Sequence, residues 1–342
     1  MDTFEFSYTK NFQGRNVPSR LRIAHALRAL MFLPLLVIEW KSVVGLRKSK
    51  SNKAPMLLSD ITNSTSGRGL ELFHFFVCSL RFVQTKKFDK NALSLKTPAG
   101  TRLKKDQIDH LVSQLKLKGA TQFSEFLSPS QVSEILESIG RLPGKGSESP
   151  DLFKCQEAWM QDPSGGPRFD LSQNELQALS SLQEISNNDV LLKIARDYLS
   201  CAPLLSSIQI WTTRQPRSKS LRSLENSAMA FHCDSDYFGF IKFFILLNKV
   251  DMNNGPFTFV EKSHRGKRHV AGRMEDNNVV NYSDALFYGT GNAGDLILAD
   301  TKGWHKAMPP TSGYRTMLQL VFTSSYFGRV PDELNPLNES AK

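Results

Sequence analysis

The sequence predicts a mainly β core, an antiparallel sandwich or barrel with flanking helices, preceded by a helical and basic N-terminal extension. Three observations carry that prediction. From about residue 205 the chain breaks into seven short runs rich in Ile, Phe, Val and Thr: SSIQIWTTR, AMAFHCD, FIKFFILLNKV, FTFVEKS, GDLILAD, GWHKAM and RTMLQLVFTS. The segments between them, DMNNGP, GTGNAGD and PPTSG, are built from the residues that turns require, with no helical pattern intervening. The charge is also lopsided. Residues 1–120 hold 21 Lys and Arg against 8 Asp and Glu, a net +13, whereas the remainder of the +10 chain carries −3.

The elements follow in order. The apolar run ALMFLPLLVIEW, residues 29–40, is about half the ~20 residues that a membrane-spanning helix needs, and it contains Pro34 and Glu39. Arg20, Arg22 and Arg28 precede it and Lys41, Arg47, Lys48 and Lys50 follow it, so it suits either an interfacial helix or the core of an N-terminal subdomain. The same alternatives apply to LELFHFFVCSLRFV, residues 70–83. The Ser- and Asn-rich stretch 49–69 between them reads as a linker. A polar stretch at 96–106 sets the boundary near residue 100, giving a basic extension or subdomain over 1–100 and a larger domain over 101–342. Beyond it, Ser128 and Pro129 open a helix whose Val132, Ile135, Leu136 and Ile139 recur at helical spacing. The stretch 144–151, GKGSESPD, ends that segment.

With 342 residues, 40% of them apolar and 22% charged, and with 23 phenylalanines, the chain can bury a substantial core. The cysteines Cys78, Cys155, Cys201 and Cys233 form no CxxC pair, which argues against a zinc knuckle or a disulfide framework and for a reducing compartment. The first residues lack the features of a secretory signal, and a cytoplasmic protein is expected. The basic residues are not interleaved with stacking aromatics in a recognised nucleic-acid motif, so no nucleic-acid partner is expected. The basic front segment remains a candidate for peripheral membrane contact.

The chemistry centres on AMAFHCDSDYFGF. Alternate side chains of a strand share a face, so His232 and Asp234 would point one way and Cys233 the other. A third ligand must come from elsewhere. His25, His74 and His110 lie in the helical front third, and His264 and His269 lie in the charged loop KSHRGKRH, which leaves His305. Two histidines and one carboxylate leave one face of an octahedral metal open, the arrangement of non-haem Fe(II) oxygenases rather than of structural zinc. Ten residues on, Arg315 could clasp the distal carboxylate of a dicarboxylate co-substrate through two parallel hydrogen bonds. Strand parity puts Met317, Gln319 and Val321 on the face of Arg315, making Gln319 a second polar group near that co-substrate.

In the order FHCDSD, IKFFILLNKVDMNNGPFTFVEKSHRG and AGDLILADTKGWHKAMPPTSGYR, the sequence resembles the phytanoyl-CoA dioxygenase family of Fe(II)/2-oxoglutarate oxygenases. The likeness is strong over 200–328 and weaker back to about 115, and residues 1–100 lie outside it. The resemblance implies a double-stranded β-helix, a cupin-like jelly roll. It places iron on His232, Asp234 and His305 and the 2-oxoglutarate C5 carboxylate on Arg315. It also implies a dioxygenase that uses O2 to hydroxylate a small-molecule substrate, lipid- or sugar-linked among the options, while decarboxylating 2-oxoglutarate to succinate. Relatives that halogenate replace the carboxylate with a small residue, so Asp234 argues for hydroxylation. A non-catalytic cupin-like module binding a metal or ligand is the alternative.

Around these residues, Asp236 reads as a supporting carboxylate at the strand end. Gly255 and Pro256 are expected to shape a hairpin, and Ser263 and His264 to brace a loop. Lys242, inside the apolar run FIKFFILLN, needs a carboxylate partner if buried; it either binds 2-oxoglutarate or an anionic substrate or snorkels to the sheet edge. Arg214, Arg268 and Arg273 have no role assigned by pattern.

Overall fold

The computed structural model describes residues 19–31, 33–43, 57–58, 61, 94–140, 159–162, 166–171, 173–216, 228–265, 273–274 and 285–328. The run 70–83, the stretch 144–151, Arg268 and His269 lie outside these residues, and so does most of the linker at 49–69.

Three helices open the described chain: α1 (Ser19–Met31), α2 (Leu33–Ile38) and α3 (Trp40–Val43). A small hairpin follows, β1 (Ser94–Lys96) with β2 (Arg102–Lys104). Next come α4 (Lys105–Lys118), β3 (Ala120–Phe123), α5 (Pro129–Gly140), β4 (Arg168–Asp170), α6 (Gln173–Ala178), α7 (Ser180–Ser186) and α8 (Asp189–Leu199). The remaining strands are β5 (Leu204–Arg214), β6 (Phe231–His232), β7 (Phe240–Leu246), β8 (Phe257–Val260), β9 (Arg273–Met274), β10 (Leu286–Gly289), β11 (Leu296–Ala299), β12 (His305–Ala307) and β13 (Tyr314–Thr323).

Two antiparallel sheets form the core, in the manner of a jelly roll. One has the order β3-β11-β7-β13-β5-β4 and the other β10-β8-β12-β6-β9. The long strands β5, β7 and β13 lie side by side, with Leu318 opposite both Ile210 and Ile245. Period-two alternation gives the six-stranded sheet two unlike faces. Ile208, Ile210, Ile241, Phe243, Ile245, Leu296, Leu298, Leu318, Leu320 and Phe322 point outward into the largest apolar cluster. There they meet Leu115 of α4, Val132 and Ile135 of α5, and Leu191 and Ile194 of α8. The inward residues Trp211, Phe244, Leu246, Ile297, Ala299 and Met317 meet Phe257 and Phe259 of the second sheet.

Local chemistry sets the helix ends. Ser128 accepts the Gln131 N–H at 3.3 Å while the Gln131 side chain accepts the Ser128 N–H at 2.9 Å, a reciprocal cap that starts α5 at the expected place. Asn188 accepts the Val190 N–H at 3.0 Å to cap α8, whose Val190, Leu191, Ile194, Ala195 and Leu199 form one buried stripe. Among the front residues, Val43, Leu57, Leu58 and Ile61 pack with Phe238 and Phe327 of the core.

Candidate metal and co-substrate pocket

The run AMAFHCD does not remain a strand to Asp234. β6 ends at His232 and residues 233–235 are irregular. Asp234 is instead fixed by its own N–H, which donates to the Thr301 carbonyl at 2.9 Å. The expected same-side placement is reached by a backbone tether in place of a pleat, and Cys233 packs away from the pocket with Phe231, Val260 and Trp304.

His232 and His305 are direct partners across the β6–β12 ladder, and their ring centroids are 4.3 Å apart. Each Nδ1 lies 2.9 Å from a backbone carbonyl two residues earlier, Ala230 for His232 and Gly303 for His305. A carbonyl only accepts, so Nδ1 carries the proton and the Nε2 lone pair is left for a metal. Nε2 of His305 is 3.3 Å from Oδ2 of Asp234, and Nε2 of His232 is 3.8 Å from Oδ1. Ligand atoms from the three side chains lie within 4.8 Å of one another.

Lys242 lies beside this cluster, its ammonium 2.6 Å from Asp234 Oδ2 and 3.0 Å from Asp236 Oδ2. Burial alone would raise the Asp234 carboxyl, but Lys242, His305 and His232 together hold it well below its usual range. Burial would likewise lower Lys242, and Asp234 and Asp236 reverse that. Asp234 and Lys242 are therefore charged at neutral pH, and the buried lysine has the carboxylate partner it needs.

The pocket has a volume of about 220 Å³ and reaches from the triad to Arg315, Met317 and Gln319, three of the four residues strand parity places together, while Val321 packs with Tyr237 and Phe240 instead. Arg315 is 1% exposed. Its Nη1 donates to the Gly255 carbonyl, and its Nε is buried with no hydrogen-bond partner among the described residues. Burial first and Arg168 second lower this guanidinium to about 9, so it is charged at neutral pH and short of an anion. Gln319 Nε2 donates to Gln209 Oε1 at 2.8 Å. Gly255, at φ 75°, permits the close approach of the Met308–Pro310 backbone, since a Cβ there would sit 2.2 Å from the Met308 carbonyl, and its own carbonyl receives Arg315.

The residues present fit both groups that the resemblance implies. Two imidazole nitrogens and a carboxylate match the donor set of an Fe(II) site with open positions. The unsatisfied buried guanidinium suits the far carboxylate of 2-oxoglutarate.

Several lining residues escape a reading of the sequence. Gln209, Trp211 and Thr213 come from β5 and Arg168 from the three-residue β4. Alternation in SSIQIWTTR groups the first three on one face, but only the sheet order shows which face is inward. Arg168 stacks 4.4 Å over the Trp211 ring and donates to Asp170 at 2.8 Å. Arg214 has a structural place, its Nη2 donating to the Asp162 carbonyl at 2.9 Å and its guanidinium lying over Trp159.

The turn after β11 braces the site. The buried Asp300 accepts Tyr198 OH and pairs with Lys302 at 3.0 Å. Ser263 Oγ accepts the Trp304 N–H at 2.8 Å and donates to the Val260 carbonyl at 2.6 Å, while His264 Nε2 reaches the Lys116 carbonyl at 3.1 Å. Both residues thus brace their loop as the sequence suggests. Thr301 and Gly303, whose carbonyls orient Asp234 and His305, belong to the turn so held.

A model of the phytanoyl-CoA dioxygenase family matches residues 115–317, more than half of the chain. Among solved structures, the chain is similar to EctD from S. alaskensis in its apoform, at 16% identity over 72% of this chain and 86% of that one, TM-score 0.49. It is similar to HygX from Streptomyces hygroscopicus with nickel, 2-oxoglutarate and hygromycin B bound, at 15% identity over 64% and 87%, TM-score 0.44. It is also similar to the epimerase SnoN in complex with Fe3+, alpha ketoglutarate and nogalamycin RO, at 14% identity over 64% and 84%, TM-score 0.44. No curated protein sequence matches it.

Proposed function

Because the chain belongs to the phytanoyl-CoA dioxygenase family, whose cofactors are Fe(II) and 2-oxoglutarate, we propose that it is a dioxygenase that hydroxylates a small-molecule substrate, lipid- or sugar-linked molecules being among the options. The observation that carries this reading is the convergence of His232, Asp234 and His305, with both Nδ1 atoms committed to backbone carbonyls, in one pocket with the buried Arg315.

The bound metal and co-substrate supply an oxidant for C–H bonds, with O2 as the second substrate and succinate as by-product. His232, Asp234 and His305 hold the iron. Arg315 receives the distal carboxylate of 2-oxoglutarate, and Gln319, fixed by Gln209, lies on the same wall. Lys242, which the sequence alone left between binding 2-oxoglutarate or an anionic substrate and snorkelling, serves in this reading to neutralise Asp234 and Asp236 and keep the ligand carboxylate in place. Phe244, Phe257, Trp211 and Met317 form an apolar wall that limits water beside the reacting centre. Residues 101–342 constitute the catalytic domain of a cytoplasmic protein, and residues 1–100 are a basic extension attached to it through Val43, Leu57, Leu58 and Ile61.

The test is incubation of Fe(II)-loaded protein with 2-oxoglutarate, O2 and a metabolite extract. Expected are succinate and a product 16 mass units heavier, both lost in Asp234→Ala. Iron binding with neither succinate nor product would overturn the reading and favour a non-catalytic module.

A further inference from the structure

The first three helices combine exposed apolar side chains, a basic neighbourhood and a fixed attachment to the core. Ile23, Leu27, Leu30 and Met31 recur at steps of four, three and one residues, which places them within one stripe of α1 about 100° wide. All four are exposed, Met31 at 79%, and the apolar surface continues in Val37 at 75% and Trp40 at 46%. Soluble proteins rarely leave such a run of large side chains in water without a partner.

No helix among the described residues is long and apolar enough to cross a membrane. The apolar run is interrupted at Glu39, a turn residue between α2 and α3, and Pro34 lies in α2. The charge selects among the remaining partners. Arg28 lies beside the stripe, Lys41 follows Trp40, and residues 1–120 carry a net +13.

The apolar surface is held by its far end. Ser325 Oγ donates to the Val43 carbonyl at 2.7 Å, Tyr326 N–H donates to the Ser42 carbonyl at 3.1 Å, and Val43 enters the cluster of Leu57, Leu58, Ile61, Phe238 and Phe327. Phe238 lies two residues beyond Asp236, which pairs with the pocket residue Lys242.

We propose that α1 to α3 dock the protein on an anionic bilayer surface, with Ile23, Leu27, Leu30, Met31, Val37 and Trp40 seated in the headgroup region and the basic residues facing acidic lipids. This proposal is independent of the oxygenase reading, because it concerns a surface that contributes nothing to the triad.

The test is co-sedimentation of the full chain with vesicles of phosphatidylcholine alone or mixed with phosphatidylserine, with and without added salt. Each basic residue near such a surface strengthens binding by about fivefold, so pelleting is expected to favour the acidic vesicles by about tenfold or more and to weaken with salt. Leu27→Ser together with Leu30→Ser should lose about tenfold or more in binding while leaving the melting temperature unchanged, because both side chains are already in water. Three results would overturn the proposal: equal pelleting with both vesicle types, unchanged pelleting of the double variant, or a lipid-free dimer that the double variant dissolves, which would make a second copy the occupant.

Discussion

The two faces of the six-stranded sheet are written by the same strands in alternate residues, yet they follow opposite rules. On the outer face β7 contributes Ile241, Phe243 and Ile245, which with Leu318, Leu320 and Phe322 of β13 form a wholly apolar layer under the helices. On the inner face the intervening residues include Lys242, Arg315 and Gln319, buried cations and an amide among Phe244, Trp211 and Met317. Burying an isolated charge is costly, so the inner face is stable only because Lys242 has Asp234 and Asp236, and it remains unfinished at Arg315 Nε. The outer face holds the fold together, while the inner face leaves a guanidinium open to an anion.

The largest expected effect that separates the two faces is on stability. Phe243→Ala removes a fully buried ring from the outer layer and is expected to cost about 4 kcal/mol in denaturant unfolding. Arg315→Ala removes a desolvated charge and should leave stability within about 1 kcal/mol of the parent, while weakening 2-oxoglutarate binding by about a hundredfold in calorimetry. If Arg315→Ala proved as destabilising as Phe243→Ala, the distinction between the faces would fail.

Lys242→Met sharpens the comparison within the inner face. It leaves the partly buried Asp234 and Asp236 without their shared cation and should cost about 2 kcal/mol in the metal-free protein. A divalent metal bound to Asp234 would replace the lost charge, so metal should raise the melting temperature of the variant more than that of the parent. Equal metal-induced shifts would show that Lys242 does not act through the ligand carboxylate.

The smallest effect concerns acid. Burial first, with Lys302 and Arg265, keeps the His264 imidazole below its ordinary range, against the pull of Asp300 and the Lys116 carbonyl. A folded-state value below the unfolded one of about 6.5 stabilises the fold above that pH, and this contribution is lost as pH falls through the folded value. The melting temperature should therefore drop between pH 8 and pH 5, and His264→Gln should flatten that slope by about 1 kcal/mol or less.

What could be read from the sequence follows the same division. The outer layer and the turns were legible because period-two runs and Gly, Pro and Asn clusters are local signals. His232, His305 and Arg315 were legible because each residue type has a narrow chemical use. Asp234 lies beside the two histidines for a reason the sequence does not show, since the tether to Thr301 and not strand parity orients it. Arg168 and the β5 face were hidden because neither a three-residue edge strand nor a choice of face has a local pattern; both depend on β5 lying between β4 and β13. The pairing of Lys242 with Asp236 depends in the same way on how the loop after β6 folds back over β7.

In the proposed function one pocket would hold Fe(II) on His232, Asp234 and His305 and 2-oxoglutarate on Arg315. The most direct measurement is anaerobic titration of the protein with Fe(II) and 2-oxoglutarate, followed by visible absorption. The expected result is a charge-transfer band that requires both additions, disappears in Asp234→Ala and weakens in Arg315→Ala. A folded parent protein that develops no band, or a band that neither substitution alters, would contradict it.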